Sequence, residues 1–373
     1  MFKYNKISWL FFLVLAAGIA ARMFVAHLGH DYDFDSWQLI AGLMNNGQNV
    51  YAETQRYAFS PAWFLILHGL DLLSGHNPAI FRYAVAGFLT LADAGIFFIL
   101  WRKFGMLAGC WFFLNPISII ISGYQNNLDN LGILSGLVAA LLIKDDFEKP
   151  LNHQALCGLM VLGFSLVLKH VFFAFPFWLA VKQRGMFQKL IVMVIPISMF
   201  LLSFVPYWAG GSQGIIHNVF LYRSSMTEFF YHMYLPLFVQ YMFSAKMVWF
   251  LCLAIFAFIY RPKSTLETML LYTCVLVATS PASINEYLAI PLCFVATHLN
   301  VFTILYIVLG SLHELVDYNG LQLTRISGTN FIDLAIYTLF LALLWATWRQ
   351  PIIAALKKAI SWSVLEVENQ LKK

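Results

Sequence analysis

The chain has 373 residues, of which 61% are hydrophobic and 11% are charged. Soluble domains carry about 25% charged residues, so this composition excludes an ordinary water-soluble protein. The net charge of +5 does not indicate a nucleic-acid partner, because short cytoplasmic loops of membrane proteins collect Lys and Arg. No basic stripe interleaved with aromatic residues is present. The five cysteines lie in apolar segments without metal-ligand spacing and are expected to be packing residues.

Continuous apolar runs predict an all-α fold, a polytopic membrane helix bundle of about 10–13 transmembrane helices. The first run, Ile7–Leu28, follows two lysines and is predicted to be an uncleaved signal anchor. No repeat or linker divides the chain, so residues 1–373 are predicted to form a single domain. The later runs are 61–73, 79–101, 107–122, 131–143, 155–168, 171–181, 190–208, 247–260, 266–279, two runs that extend to 312, and 331–348.

Clusters of basic residues predict which ends of the helices face the cytoplasm. These clusters lie at 102–103, 182–184, 261–263 and 357–358. The opposite face then holds a first outer loop, 29–60, a long outer loop, 209–244, and the shorter loops 123–130, 280–286 and 313–330. One conflict remains, because a full crossing by Pro61–Leu73 would place Arg102 and Lys103 on the outer side. Either that segment dips in and returns, or the charge rule fails locally.

The first outer loop contains three carboxylates in five residues: Asp31, Asp33 and Asp35. Such close acids repel one another, which raises the pKa of at least one of them or favours a bound cation or proton donor. The alternative is a solvated acidic turn in which Asp35 caps a helix over Ser36–Met44.

Further polar motifs follow in a fixed order along the first third of the chain. They are Gly47-Gln48-Asn49-Val50-Tyr51, Arg56-Tyr57-Ala58-Phe59-Ser60-Pro61, Asn115-Pro116, and Gly123-Tyr124-Gln125-Asn126-Asn127-Leu128-Asp129. With the acidic loop, this order resembles the GT-C class of integral-membrane glycosyltransferases. It is most similar to bacterial members and to the glycosylphosphatidylinositol mannosyltransferase type. The resemblance covers roughly the first 135 residues, and two spacings depart from the family pattern.

The resemblance implies an enzyme that moves a mannose-like hexose from a polyprenyl-phosphate donor to a glycan, lipid or protein acceptor. It implies a site on the outer face, and we expect a bacterial plasma membrane. Asp33 belongs to both overlapping acid pairs and is expected to be the base of an inverting transfer. Asp31 or Asp35 is expected to orient the acceptor or to bind a metal ion, which leaves a divalent cation open as a ligand.

The remaining candidates are expected to bind substrate. Lys169, followed by Arg223 and then Arg56, suits the donor phosphate, because cations at the membrane boundary meet the lipid's charge there. Each candidate also has a structural alternative, such as a snorkelling lysine or a polar turn between helices. The full set is Arg56, Tyr57, Gln125, Asn127, Asp129, Lys169, His170, Arg223 and Glu286.

Two other classes of protein compete with the transferase. A transporter or lipid-linked-sugar flippase would place its charged residues at mid-bilayer depth. Asp93, within an apolar run, is the residue that supports this alternative, although a helix-bridging Asp is equally compatible with its position. The third class is a non-catalytic assembly subunit.

Overall fold

A computed structural model describes residues 9–143, 145, 151–222, 235–323 and 331–349. The regular elements in these ranges are all helical, as predicted. The α-helices are α1 Trp9–Leu28, α2 Tyr32–Asn45, α3 Val50–Glu53, α4 Pro61–Leu73, α5 Pro78–Phe104, α6 Met106–Phe113, α7 Pro116–Ile120, α8 Asp129–Leu142, α9 His153–Leu168, α10 Phe175–Lys182, α11 Met186–Ser203, α12 Val205–Gly214, α13 Leu237–Met242, α14 Ala245–Ile259, α15 Thr265–Ala278, α16 Leu292–Thr297, α17 Val301–Val316 and α18 Phe331–Arg349. π-Helical turns follow α7 (Ile121–Gln125) and α12 (Ile215–Phe220).

Four described helices, α1, α5, α11 and α18, are each long and apolar enough to cross a membrane. A bent pair, α6 and the helix from Pro116 to Gln125, is long and apolar enough to cross only if its two halves, which meet at 49°, are taken as one span. Asn115 caps the second half of this bent span, and Pro116 cannot continue the first half. Six shorter apolar helices of 10–17 residues complete the bundle. The prediction of an all-α polytopic membrane fold is confirmed.

The first and fifth helices cross the membrane in opposite directions. Near the start of α1, the Phe11 ring lies 5.0 Å from Phe97 and 4.7 Å from Trp101, both near the end of α5. Further along α1, Arg22 contacts Asp93, which is nearer the middle of α5. The basic end of α5 therefore lies on the same side of the membrane as the start of α1, as the charge rule predicted.

Helix α4 does not cross between them, which resolves the conflict in the predicted topology. Ser60, at its start, donates a hydrogen bond to the carbonyl of Leu166. At its other end, Asp71 accepts a hydrogen bond of 2.7 Å from Asn45, the last residue of α2. Because α2 belongs to the first outer loop, α4 folds back along it. Both ends of α4 therefore lie on the side of the bundle that holds α2, which agrees with the first of the two alternatives.

The only described ion pair with both partners fully buried within spans joins Arg22 to Asp93. Arg22 Nε donates to Asp93 at 2.7 Å, and its other nitrogens donate to the carbonyls of Gly18 and Phe113 and to the Ser118 hydroxyl. Asn130 donates to the second oxygen of Asp93 at 2.7 Å. Every Asp93 oxygen thus has a donor within the bundle. This is the helix-bridging alternative, since Asp93 joins α1, α5 and α8.

Candidate active site

Asp31 fixes the start of α2. It is the N-cap residue, and its Oδ1 accepts hydrogen bonds from the backbone N–H groups of Asp33 at 3.1 Å and Phe34 at 3.4 Å. The expectation that Asp35 caps a helix over Ser36–Met44 is therefore wrong. The helix begins one turn earlier because Asp31 satisfies its first N–H groups.

The three acids of the loop consequently point in different directions. Asp33 is turned toward the bundle, whereas the Asp35 side chain is about half exposed and lies 3.7 Å from His30. The structure does not bring Asp35 together with the other predicted site residues. Burial raises the pKa of Asp31 to about 8, although its two backbone hydrogen bonds oppose this shift.

The segment after α7 carries the next group of polar residues into the same region. The polar sequence predicts a loop over 123–130, but the chain continues as a π-helix to Gln125 and re-enters a helix at Asp129. Between the two, Asn126 adopts a left-handed conformation with φ of 56°. Its side chain donates to the Gly123 carbonyl at 2.8 Å, and its own carbonyl accepts from the Trp37 indole at 3.1 Å. Asn127 and Asp129 are held inside the bundle as a result.

Five side chains from four segments meet there and form what we call the carboxylate–lysine cluster: Asp33, Asn127, Asp129, Lys169 and Glu286. Asn127 lies at the centre. Its amide nitrogen donates to Asp33 Oδ2 at 3.3 Å, and its amide oxygen accepts from Lys169 Nζ at 3.4 Å. Lys169 Nζ also lies 3.1 Å from Asp129 Oδ2 in a buried ion pair.

The carboxyl groups of Asp33 and Glu286 lie close enough for each to affect the pKa of the other. A hydrogen bond between two carboxyls requires that one of them holds a proton. Burial, assisted by the neighbouring Asp33, raises the pKa of Glu286 to about 8, so Glu286 carries that proton at neutral pH. Burial also raises the pKa of Asp33, while the Glu286 hydrogen bond and the Lys169 charge oppose the shift.

Lys169 follows the last residue of α9, and its ammonium is the positive centre of the cluster. Burial alone would lower its pKa, but the charges of Asp129 and Glu286 outweigh burial and raise it. The ammonium also lies 4.4 Å from the centre of the Phe59 ring, a cation–π distance. Lys169 is thus charged and held in place, not a snorkelling lysine.

A cavity of about 290 Å³ opens on the other side of Lys169. Its polar end contains Asp129, Lys169, His170 and Tyr222. Its remaining wall is apolar and aromatic, with Phe173, Val219, Phe220, Trp249, Phe250, Leu276 and Ile290 among the lining residues. Phe220 and Phe250 are about half exposed, so this wall continues onto the apolar outer surface of the bundle. The cavity is therefore shaped for a ligand with one charged end and one apolar end.

Two of the predicted binding residues from the first outer loop lie at its inner surface. Arg56 covers the Tyr32 ring at 3.9 Å and donates to the Tyr32 carbonyl at 3.2 Å, which ties the loop to α2. Tyr57 is fully buried, and its hydroxyl donates to the Ser60 carbonyl at 2.6 Å and accepts from the Phe64 N–H. Tyr57 therefore shapes the start of α4 and has no surface for a substrate.

Gln125 is buried in a separate polar group beside the cluster. Its amide donates to Glu314 Oε2 at 2.7 Å and to the Asn319 carbonyl at 3.2 Å. Glu314 falls within the predicted outer loop 313–330, but α17 continues through it to Val316. No local sequence signal predicts this pairing, since an acid at the edge of a polar stretch is ordinarily exposed.

His170 lies in the cavity wall and is partly buried, and its Nδ1 has no hydrogen-bond partner among the described residues. Burial and the nearby Lys169 charge lower its pKa to about 4, so its imidazole is neutral. Arg223, the second phosphate candidate, lies outside the described residues. Within the described ranges, no group of three or more His, Cys, Asp and Glu side chains is arranged to hold a metal ion.

No protein-family model matches the sequence, and no curated protein is similar to it in sequence. Among solved structures, the fold is similar to the crystal structure of ArnT from Cupriavidus metallidurans in the apo state. The TM-score is 0.50, the sequence identity is 14%, and the likeness covers 89% of this chain and 75% of that chain. At this identity the likeness to ArnT concerns the fold alone, and it supports the polytopic membrane architecture derived above.

Proposed function

We propose that this protein is a membrane glycosyltransferase that takes its sugar from a polyprenyl-phosphate donor. The observation that carries the proposal is the position of Lys169, between the carboxylates of the cluster and the apolar-walled cavity. A lipid-phosphate sugar has the matching arrangement, with an apolar chain, a phosphate and a polar sugar in sequence. The polytopic membrane fold, which is similar to that of ArnT, is consistent with this proposal.

The proposed reaction follows from where the chain, the phosphate and the sugar of the donor would bind. The polyprenyl chain occupies the apolar wall of the cavity, and its phosphate lies against the Lys169 ammonium. The sugar then lies beside Asp33. Asp33 removes the proton from an acceptor hydroxyl, whose oxygen bonds to the anomeric carbon as the carbon–oxygen bond to the phosphate breaks. The phosphate leaves with that electron pair, stabilised by Lys169, and attack from the opposite face inverts the anomeric carbon.

The acids around Asp33 suit this role. A base in a buried site has a raised pKa, which strengthens it as a proton acceptor. A proton on Glu286 keeps two neighbouring carboxylates from being charged together, and we assign to Asp33 the role of accepting the acceptor's proton. We further propose a mannose-like hexose as the sugar and an outer-facing site in a bacterial plasma membrane. The assay below detects transfer to a glycan, a lipid or a protein acceptor.

A matched pair of variants on one helix tests the proposal. Membranes containing wild type, Asp33→Asn or Asp35→Asn are supplied with labelled polyprenyl-phosphate hexoses, and label in the acceptor fraction is measured. Loss of a general base lowers the rate about 10²–10⁴-fold, so Asp33→Asn is expected to lose transfer and Asp35→Asn to retain it. Equal activity of the two variants would remove Asp33 as the base. Uptake of label into sealed vesicles without any glycosylated product would instead identify a transporter.

A further inference from the structure

A second polar cavity lies at the opposite end of the bundle from the carboxylate–lysine cluster. It has a volume of about 550 Å³, and its wall contains four cationic side chains and one acid: Lys182, Arg184, Arg261, Lys263 and Asp145. We call it the basic cavity. None of its lining residues belongs to the proposed active site, so it is a separate site.

Three helix ends place the basic cavity at the depth of lipid headgroups. Helix α10 ends at Lys182, α14 ends two residues before Arg261, and α15 begins two residues after Lys263. All three helices are apolar, so their ends mark the edge of the hydrocarbon layer. The other end of α15 leads to Ser280 in the apolar-walled cavity, which shows that one helix length separates the two cavities.

Some of the charged side chains of the basic cavity join the helix ends that surround it. Lys182 Nζ donates to the carbonyl of Arg261 at 3.1 Å and to that of Lys263, which ties α10 to the turn after α14. Asp145 Oδ1 accepts from the Thr265 N–H at 2.6 Å and its hydroxyl at 2.7 Å, which fixes the start of α15. Lys263 pairs with Glu267 at 2.6 Å.

Arg184 and Arg261 also line the cavity wall, and both side chains are exposed. Asp145, the acid in the wall, is engaged by the start of α15, and the other nearby acid, Glu267, is engaged by Lys263. The described lining has four basic side chains and one carboxylate, so this part of the wall is net positive. Guanidinium groups bind phosphate through two parallel hydrogen bonds, and basic cavities between transmembrane helices on the cytoplasmic side suit phospholipid headgroups.

We propose that the basic cavity binds the phosphate headgroup of an anionic membrane phospholipid. A free phosphate ion presents the same chemistry, so the test separates the two sources. The purified protein in neutral detergent is titrated with phosphatidylglycerol, with phosphatidylcholine, or with inorganic phosphate, and bound ligand is measured by native mass spectrometry. Wild type is expected to retain phosphatidylglycerol in preference to phosphatidylcholine.

The double variant Arg184→Gln with Arg261→Gln is expected to bind phosphatidylglycerol about tenfold more weakly, the loss expected for charge-assisted hydrogen bonds. The control, Lys189→Gln, removes a nearby charge that does not line the basic cavity and is expected to bind as wild type does. Replacing both arginines by lysine keeps the charge but removes the planar fork, so its binding should fall between the two. Equal retention by all variants overturns the site, and inorganic phosphate that binds as well as the lipid overturns the headgroup as its ligand.

Discussion

Asp93 accepts a 2.7 Å hydrogen bond from Arg22, and both side chains are fully buried between α1 and α5. Removing one member of a buried pair leaves an uncompensated charge, which costs about 3–5 kcal/mol. Asp93→Ala is therefore expected to lower the thermal unfolding midpoint of the detergent-solubilised protein strongly. The double variant Arg22→Met with Asp93→Leu removes both charges and should regain part of the loss. If Asp93→Ala unfolds at the wild-type midpoint, the pair does not hold the bundle.

Variants of the Lys169–Asp129 pair can separate an effect on stability from an effect on sugar transfer. Lys169→Met is expected to lower both stability and transfer, because it leaves Asp129 buried without its partner. Adding Asp129→Asn removes the stranded charge, so the double variant should recover stability. It should not recover transfer, since no ammonium remains to meet the donor phosphate. Transfer that returns with stability would show that Lys169 acts only through the fold.

Glu286 predicts a particular dependence of stability on pH. Its pKa rises from 4.5 in the unfolded chain to about 8 in the folded protein, so between these values the folded state binds more protons than the unfolded state. Stability must then fall as pH rises through this window, by up to about 1.4 kcal/mol per pH unit for one group. Glu286→Gln is expected to reduce the slope of the unfolding midpoint against pH. Asp31, whose pKa is also raised to about 8, should preserve part of the slope, and an unchanged slope would mean that Glu286 is ionised.

Gly123 holds the π-helix against α1. A Cβ at this position would lie 2.6 Å from the Arg22 carbonyl oxygen and 2.4 Å from Val25. Gly123→Ala is expected to shift the segment that carries Asn127 and to lower both stability and transfer. The control is Gly42→Ala in α2, where a Cβ meets no atom within 4 Å and the substitution should stabilise the helix by up to about 1 kcal/mol. Similar losses in both variants would contradict a special role for Gly123.

The fold-back of α4 can be tested by labelling single cysteines in intact cells. In a Cys157→Ser background, where the exposed native cysteine is removed, a membrane-impermeant maleimide is applied to Gln55→Cys, Ala79→Cys and Lys103→Cys. Gln55 and Ala79 are exposed on either side of α4 and should both react, whereas Lys103, at the far end of α5, should not. Reaction at 55 but not at 79 would mean that α4 crosses the membrane.

The sequence alone was sufficient to predict features that depend on residues close together in the chain. The bounds of α4, Pro61–Leu73, were predicted correctly because an apolar run starts at a proline, which suits the first helical turn. The charge rule likewise grouped the described basic clusters at one end of the bundle. What could not be predicted was pairing over long distances, such as Gln125 with Glu314, separated by 189 residues. No local pattern reports a contact that depends on how whole helices pack.

For the candidate site, the sequence predicted which residues take part but not how they contact one another. Asp33, Asn127, Asp129, Lys169 and Glu286 were all predicted from polar motifs at the ends of apolar runs, and the structure brings them together. The sequence did not reveal that Asn127 is the link between acid and lysine, nor that Asp35 stands apart. The position of Asp35 follows from the start of α2, which the cap at Asp31 fixes, whereas the contacts of Asn127 depend on how distant segments pack.

The return of α4 to its own side of the bilayer also governs the insertion of every helix that follows. During synthesis, a version of this segment lengthened by a turn or two of leucines would be drawn across the membrane. Helix α5 would then insert in the opposite orientation, and Arg102 and Lys103 would have to cross the membrane. The return of these thirteen residues to one side of the bundle thus sets the orientation of α5 and of the helices that follow it.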